Sequence, residues 1–174
     1  MAANIHRILR LQRGGAVDGG DFYLITRKVR DIYGADSEQM QMAKKSLKDL
    51  AGLGLLDLAD ANADKNISIT EWVKALEKQK GNTEAPWFKN YANFLFRLFD
   101  VSNDNVLDIA EYADGMSAYG FPEANSHAAF RRFALDKNGK PVEEVDEATF
   151  RKYWNEYFYS KDEKAIGNNL FGVL

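Results

Sequence analysis

Two twelve-residue segments, about 40 residues apart, repeat one pattern of oxygen-bearing side chains. The first reads DANADKNISITE from Asp60 to Glu71, and the second reads DVSNDNVLDIAE from Asp100 to Glu111. In each, oxygen donors occupy the first, third, fifth and ninth places, and a Glu occupies the twelfth. This is the ligand spacing of the Ca²⁺ loop of helix–loop–helix proteins, in which a bidentate Glu completes a shell of roughly six to eight oxygens. The repeat predicts two calcium loops, each between two helices.

The predicted ligands are side-chain oxygens, except at the seventh place, where the backbone carbonyl serves. The predicted metal ligands are Asp60, Asn62, Asp64, Asn66, Ser68 and Glu71 in the first loop, and Asp100, Ser102, Asp104, Val106, Asp108 and Glu111 in the second. We expect about two Ca²⁺ ions per chain. We also expect Mg²⁺ to compete for these sites.

Both loops depart from the usual pattern at the sixth place, where Gly normally allows a sharp turn. That place holds Lys65 in the first loop and Asn105 in the second. Asn tolerates the left-handed backbone region well, whereas Lys is more strained there and adds a positive charge near the ion. The segment Asp100–Glu111 is therefore predicted to bind Ca²⁺ more tightly than Asp60–Glu71.

Helical periodicity accompanies both loops and predicts an all-α fold. Apolar residues recur at three- and four-residue steps over residues 87–99, after Pro86, and again over 147–159. A further helix is predicted within 37–59. The eighth loop places hold apolar Ile67 and Leu107, which predicts a short antiparallel bridge from each loop to a partner loop.

Helix–loop–helix motifs bury their apolar faces in pairs, so two further motifs are expected. Residues 10–21 fit a first motif that has lost its metal, with Arg10 at the first place and Val17 placed to bridge to Ile67. A plain Gly-rich loop is the alternative. A fourth, metal-free motif is predicted at 138–149, and a rival register runs over 136–147.

The chain resembles the invertebrate sarcoplasmic calcium-binding proteins, and among them the calexcitins. The segments that carry the resemblance are Ala85-Pro86-Trp87, Asp100–Tyr112, Tyr119-Gly120-Phe121-Pro122 and the tail Gly167-Asn168-Asn169-Leu170-Phe171-Gly172. The resemblance implies four EF-hand motifs in two pairs, a degenerate fourth site and a tail that packs back on the protein. Residues 1–82 are then an N-terminal EF-hand pair, and 83–174 a C-terminal pair with the docked tail.

Composition narrows the functional classes. A formal charge of −3 argues against a nucleic-acid partner, and the lack of cysteine excludes disulfides and thiolate metal sites. No catalytic constellation, signal peptide or membrane span is evident, so we expect a cytoplasmic monomer that is not an enzyme. The resemblance implies a Ca²⁺ buffer or a calcium-signalling protein. A Ca²⁺ sensor that binds a target protein, and a carrier of a small organic ligand like the luciferin-binding relatives, stay open.

Overall fold

A computed structural model of the chain describes residues 16–17, 19–52, 67–78 and 85–172. The chain divides into two compact units, Met1–Phe94 and Leu95–Leu174. The predicted boundary between residues 82 and 83 stays a prediction. Within the described ranges, no helix combines the length and apolar character needed to cross a membrane.

Helices and one short strand pair make up the described part of the first unit. Its elements are β1 (Ala16–Val17), α1 (Gly19–Tyr33), α2 (Glu38–Gly52), β2 (Ile67–Ser68) and α3 (Ile69–Lys78). Helices α1 and α2 contact each other. Their buried apolar residues are Ile25 and Val29 on α1, and Met40 and Ala43 on α2.

The two strands of this unit are the predicted bridge between loops. Strand β1 pairs antiparallel with β2, with Ala16 opposite Ser68 and Val17 opposite Ile67. The predicted pairing of Val17 with Ile67 is therefore confirmed. Residues 1–15, including Arg10, lie outside the described residues, so the lost metal site of the first motif stays a prediction.

The remaining elements begin with α4 (Pro86–Phe99), which crosses the division between the units. They continue with β3 (Val106–Leu107), α5 (Ile109–Ala118), α6 (Glu123–Phe133), β4 (Val145–Asp146), α7 (Glu147–Tyr159) and a 3₁₀ helix (Ile166–Asn169). Helix α4 begins at Pro86, whose fixed φ suits a first helical position. The helices predicted over 87–99 and 147–159 are confirmed.

Helix α4 buries more of its surface than its periodicity predicted. The predicted apolar face, Phe88, Tyr91, Ala92, Leu95, Phe96 and Phe99, is buried throughout. Phe94 and Leu98 are buried as well, at 2% and 0% exposure. A helix that is apolar on most of its sides is a core helix rather than a surface one.

A second strand pair joins the loops of the second unit. Strand β3 pairs antiparallel with β4, with Val106 opposite Asp146 and Leu107 opposite Val145. Leu107 and Val145 are buried, so the bridge also contributes to the core. With β1–β2 and β3–β4 each joining two loops, the predicted all-α fold of EF-hand motifs in two pairs is confirmed.

Aromatic rings fill the core of the second unit. The ring of Tyr112 lies 5.9 Å from that of Phe99 and 5.1 Å from that of Phe133, in both cases near a T-shaped arrangement. Phe150 on α7 meets Phe96 edge-on at 5.6 Å. Such pairs contribute about 0.5–1.5 kcal/mol each beyond their buried area. This cluster connects α4, α5, α6 and α7.

The tail after α7 docks on the second unit, as the family resemblance implied. The Gly167 N–H donates to the Glu156 carboxylate at 3.0 Å. Phe171 packs against Trp154 and Tyr157, with ring centroids 5.9 and 5.1 Å away. Leu170 is fully buried.

Candidate metal centre

The loop Asp100–Glu111 starts directly at the end of α4. The Asp100 N–H donates to the Phe96 carbonyl at 2.8 Å, which fixes Asp100 to the last helical turn. Asp100 is 2% exposed, unusual for a carboxylate. A buried charge is tolerated when it is paired and hydrogen-bonded. The Arg97 guanidinium, one helical turn back, lies 3.7 Å from its Oδ2.

Backbone N–H groups hold the carboxylates of the loop in place. Asp100 Oδ1 accepts from the Asp104 N–H, and its Oδ2 from the Asn105 N–H, both at 3.1 Å. Asp104 Oδ1 accepts from the Val106 N–H at 3.1 Å. The Ser102 hydroxyl approaches Asp100 Oδ1 at 3.4 Å. The loop therefore curls around its own carboxylates, with the first, third and fifth places close together.

The sixth-place residue has the backbone conformation that its position requires. Asn105 has φ of 67°, in the left-handed region, and Asn103 has φ of 60°. Asn is among the few non-glycine residues that occupy this region readily. The expectation that Asn105 replaces the usual Gly at the turn is confirmed for this loop.

The last part of the loop is also the start of α5. Asp108 caps the helix by accepting from the Glu111 N–H at 2.8 Å, and the Glu111 carboxylate reaches back to the Asp108 N–H at 3.5 Å. This capping box satisfies two helix N–H groups. The other Glu111 oxygen accepts from the Ser102 N–H at 2.9 Å. Glu111 thus connects the two ends of the loop.

Three of the predicted ligands converge on one point. Single carboxylate oxygens of Asp100, Asp104 and Glu111 all lie within 4.8 Å of one another. Two oxygens that bind one Ca²⁺ at about 2.3–2.6 Å are at most roughly 5 Å apart. The three carboxylates therefore fit around a single calcium ion. Val106 and the exposed Asp108 stand beside this cluster in the chain.

The structure describes the first predicted loop from Ile67 to Glu71, its last five residues. Asp60, Asn62, Asp64 and Asn66 lie outside the described residues. The Ser68 hydroxyl and N–H both donate to Glu71 Oε2, at 2.7 and 3.0 Å, and the Glu71 N–H donates to Ser68 Oγ at 3.2 Å. Ser68 at the ninth place and Glu71 at the twelfth are therefore hydrogen-bonded to each other, as Asp108 and Glu111 are in the other loop.

The fourth loop follows neither predicted register over its whole length. Its second half matches 138–149, because Val145 at the eighth place pairs with Leu107, and Asp146 caps α7 by accepting from the Thr149 N–H at 2.7 Å. Its first half is anchored at Asp136, whose Oδ1 accepts from the N–H groups of Asn138 and Lys140.

Chain length explains this mixed register. The connection between helices spans 100–108 in the third motif and 134–146 in the fourth, four residues more. The additional residues form a hairpin, in which Leu135 bridges to Pro141 and the Val142 N–H donates to the Ala134 carbonyl. The predicted first place at Asn138 is therefore wrong, since Asn138 lies at the tip of this hairpin.

Two residues that shape the third loop were not singled out from the sequence: Arg97, just before the loop, and Asn103, within it. Arg97 donates to the Asn103 side-chain carbonyl at 3.0 Å and also approaches Asp100. The sequence did contain a signal for Arg97, because a residue three places before an Asp at the end of a helix lies on the same helical face as that Asp. Arg97 fixes the loop to α4 and lowers the negative charge around the carboxylates.

Comparison with known proteins agrees with this geometry. No family model matches the chain. The chain is 51% identical over 158 residues to Calexcitin-1 of Caenorhabditis elegans, covering 91% of this chain and 77% of that protein. A sarcoplasmic calcium-binding protein from amphioxus has a TM-score of 0.69 at 18% identity, over 99% of this chain and 94% of its own. The coelenterazine-binding protein from Renilla muelleri has a TM-score of 0.70 at 19% identity, over 99% of this chain and 93% of its own.

Loops joined in pairs by two-residue strands, and an oxygen-lined loop between two helices, define the EF-hand class of calcium-binding proteins. The two solved structures share this fold with the chain. The identity with Calexcitin-1 extends over most of both chains. The chain belongs to the calexcitin family.

Proposed function

We propose that the chain binds about two Ca²⁺ ions through Asp60–Glu71 and Asp100–Glu111, using the twelve ligands predicted from the sequence. The observation that carries the proposal is the gathering of Asp100, Asp104 and Glu111 oxygens within 4.8 Å. The amphioxus protein of the same fold is named a calcium-binding protein. The first and fourth motifs bind no ion in this proposal, and they serve as partners that complete each pair.

The fourth motif supports this division of roles. At its twelfth place stands Thr149, which has no carboxylate to close a calcium shell. The hairpin that Asp136 anchors takes the place of the first half of a normal loop. The Asp136 carboxylate is already engaged, and hydrogen bonds from the Lys140 and Asn138 N–H groups lower its pKa. The C-terminal pair therefore has one ion site and one structural loop.

We infer that the protein acts as a Ca²⁺ buffer or calcium-signalling protein in the cytoplasm, as a monomer and without catalytic activity. Sensors expose Met-rich apolar grooves when Ca²⁺ binds. This chain has 4 Met residues, including Met1. The described ones, Met40 and Met116 among them, are buried or half-buried. This arrangement favours a buffer over a sensor.

The test is calorimetric titration of the metal-free chain with Ca²⁺, with and without Mg²⁺. We expect about two ions per chain at micromolar affinity or tighter. Strong competition by Mg²⁺ supports the buffer. Binding of four ions would contradict the silent first and fourth motifs, and no binding would contradict the proposal itself.

A carrier of a small organic ligand is the second candidate, because the fold is shared with a coelenterazine-binding protein. The described aromatic side chains of the second unit favour a filled core, since they contact one another directly, as Tyr112 and Phe133 do at 5.1 Å. Mass spectrometry of the purified chain under native conditions tests this candidate. A stoichiometric organic adduct would support the carrier.

A further inference from the structure

A pocket of about 440 Å³ lies on the second unit beside the calcium loop. The start of α5, the end of α6 and the segment after the hairpin enclose it. Pockets of roughly 300–1,000 Å³ are large enough for a drug-sized molecule or a few side chains. The extended fourth loop builds this pocket, because Pro141, Val142, Glu143 and Glu144 form one wall.

The floor of the pocket is apolar. Phe130 is buried at 2% exposure, and Ala134 is buried beside it. Ile109 is half-buried, and Val142 is 37% exposed, among the most exposed large apolar side chains in the described ranges. An exposed apolar side chain at the edge of a concave apolar surface is a feature of binding sites.

The rim of the pocket is acidic. Asp108, Glu143 and Glu144 are exposed carboxylates among its lining residues, and Arg131 is the cation. The end of α6 also lines this pocket, through Phe130, Arg131 and Ala134. The N-terminus of α5, which would favour anions, is capped by Asp108. Asp108 is also a predicted calcium ligand, so its charge counts only in the metal-free chain. Glu143 and Glu144 against Arg131 still leave the rim with one net negative charge.

We propose that this pocket docks an exposed segment of a partner protein that carries a bulky apolar side chain next to Lys or Arg. The apolar side chain enters over Phe130 and Val142, while the cation pairs with Glu143 and Glu144. Arg131 stands where it can donate to a backbone carbonyl of the same segment. The charge complementarity and the open, mixed lining together select a peptide over a purely apolar ligand.

The experiment is a chemical-shift titration of the full ¹⁵N-labelled chain, with Ca²⁺ held at saturation so that the state of Asp108 stays constant. The probe is a blocked peptide, GLRRG, and the comparison peptides are GLEEG and GSRRG. We expect GLRRG to shift the amides of residues 108–109, 130–134 and 142–144. We expect GLEEG not to bind, and GSRRG to bind several-fold more weakly.

Two variants and one matched control complete the test. The double reversal Glu143→Lys/Glu144→Lys is expected to weaken GLRRG binding about tenfold, since it replaces two attractive rim charges with two repulsive ones. Val142→Ser weakens it a few-fold. The control Asp114→Lys/Glu163→Lys makes the same charge change at exposed positions outside the pocket, and should preserve the localised shifts.

Three results would overturn the proposal. Equal binding of GLRRG and GLEEG would show that the acidic rim does not select a peptide with Lys or Arg. An equal loss in the pocket variant and the control would show general attraction to an acidic protein. Binding of hexylamine as tight as that of GLRRG would assign the pocket to small amines instead of a peptide.

Discussion

The hydroxyl of Tyr112 donates a hydrogen bond of 2.5 Å to the backbone carbonyl of Leu170. Both residues are fully buried, and they are 58 positions apart in the chain. Tyr112 directly follows Glu111, the predicted closing ligand of the calcium loop. One residue therefore connects the end of that loop to the docked C-terminal tail.

Tyr112→Phe is expected to lower the free energy of unfolding by about 1–3 kcal/mol, because it leaves the buried Leu170 carbonyl without its donor. Urea unfolding at saturating Ca²⁺ measures this change. Tyr23→Phe, at a side chain 65% exposed, is the matched control and should change the stability by less than about 0.5 kcal/mol. Equal effects of the two substitutions would contradict a stabilising role of the Tyr112–Leu170 bond.

The same tyrosine predicts a loss of stability at alkaline pH. Burial, with a further contribution from Tyr157, raises the pKa of the Tyr112 phenol far above its usual range. The pKa of Tyr112 is higher in the folded than in the unfolded state, so its contribution to the free energy of unfolding is complete below pH about 10. Above that pH the contribution falls, by at most about 1.4 kcal/mol per pH unit. Between pH 8 and 11, the free energy of unfolding should fall less steeply with pH in Tyr112→Phe than in the parent chain. Parallel curves would contradict the prediction.

Loss of the closing glutamate should separate the two predicted calcium sites. Glu111→Gln and Glu71→Gln are each expected to remove about one Ca²⁺ equivalent in calorimetry, since a neutral amide cannot act as the bidentate carboxylate. The site left in Glu71→Gln should be the tighter one, because its sixth place holds Asn105 instead of Lys65. Glu163→Gln, at an exposed position, is the control that keeps both sites. Equal remaining affinities would contradict the ranking.

The left-handed turn at Asn105 should limit what that position accepts. Asn105→Gly is expected to preserve Ca²⁺ affinity, since Gly adopts φ of 67° without strain. Asn105→Val should weaken binding by roughly tenfold, because the left-handed conformation costs about 1–2 kcal/mol for a residue with a Cβ, and more for a β-branched one. Calorimetric affinities of the two variants decide the point. Similar values would show that the loop relaxes around this residue.

Close packing at Gly167 should make the tail sensitive to a single methyl group. A Cβ at this position would lie 2.6 Å from the Glu156 Cβ and even closer to the Tyr153 carbonyl oxygen. Gly167→Ala is therefore expected to lower the free energy of unfolding by about 1–3 kcal/mol. Gly139→Ala is a comparison without steric contact, since no atom lies within 4 Å of its Cβ, although its φ of 76° adds strain. Destabilisation by Gly167→Ala no larger than that by Gly139→Ala would contradict the tight packing.

The local features of the fold could be predicted because they depend on residues close together in sequence. The spacing of Asp100, Asp104 and Glu111 identified the loop, and the structure brings these three carboxylates together. Counting to the eighth place of the first two loops paired Val17 with Ile67, as the structure does. The helix over 147–159 followed from its aromatic period. In each case, a fixed periodicity relates sequence position to geometry.

The first half of the fourth loop was misjudged for a physical reason. One candidate register was set by Phe150, in the helix that follows, and the other by the acids Asp136 and Glu147. The preceding helix α6 ends at Phe133, before either start. Hydrogen bonds from backbone groups to Asp136, together with the bridge from Leu135 to Pro141, stabilise a hairpin instead. The end of a helix is set by the capping and packing of its last turn, which spacing rules do not contain.

The sequence by itself determined the class of this protein, because it showed the repeated ligand spacing of two predicted calcium loops, the helices beside them and the eighth places through which paired loops meet. Tertiary structure alone decided the pocket beside the hairpin and the bond between Tyr112 and Leu170. The two groups of features differ in how far apart in the sequence the contributing residues lie. Ligand spacing and periodicity are local properties of the chain. The hydrogen bond between Tyr112 and Leu170 spans 58 positions, and it forms because packing of the whole unit buries the donor and the acceptor next to each other.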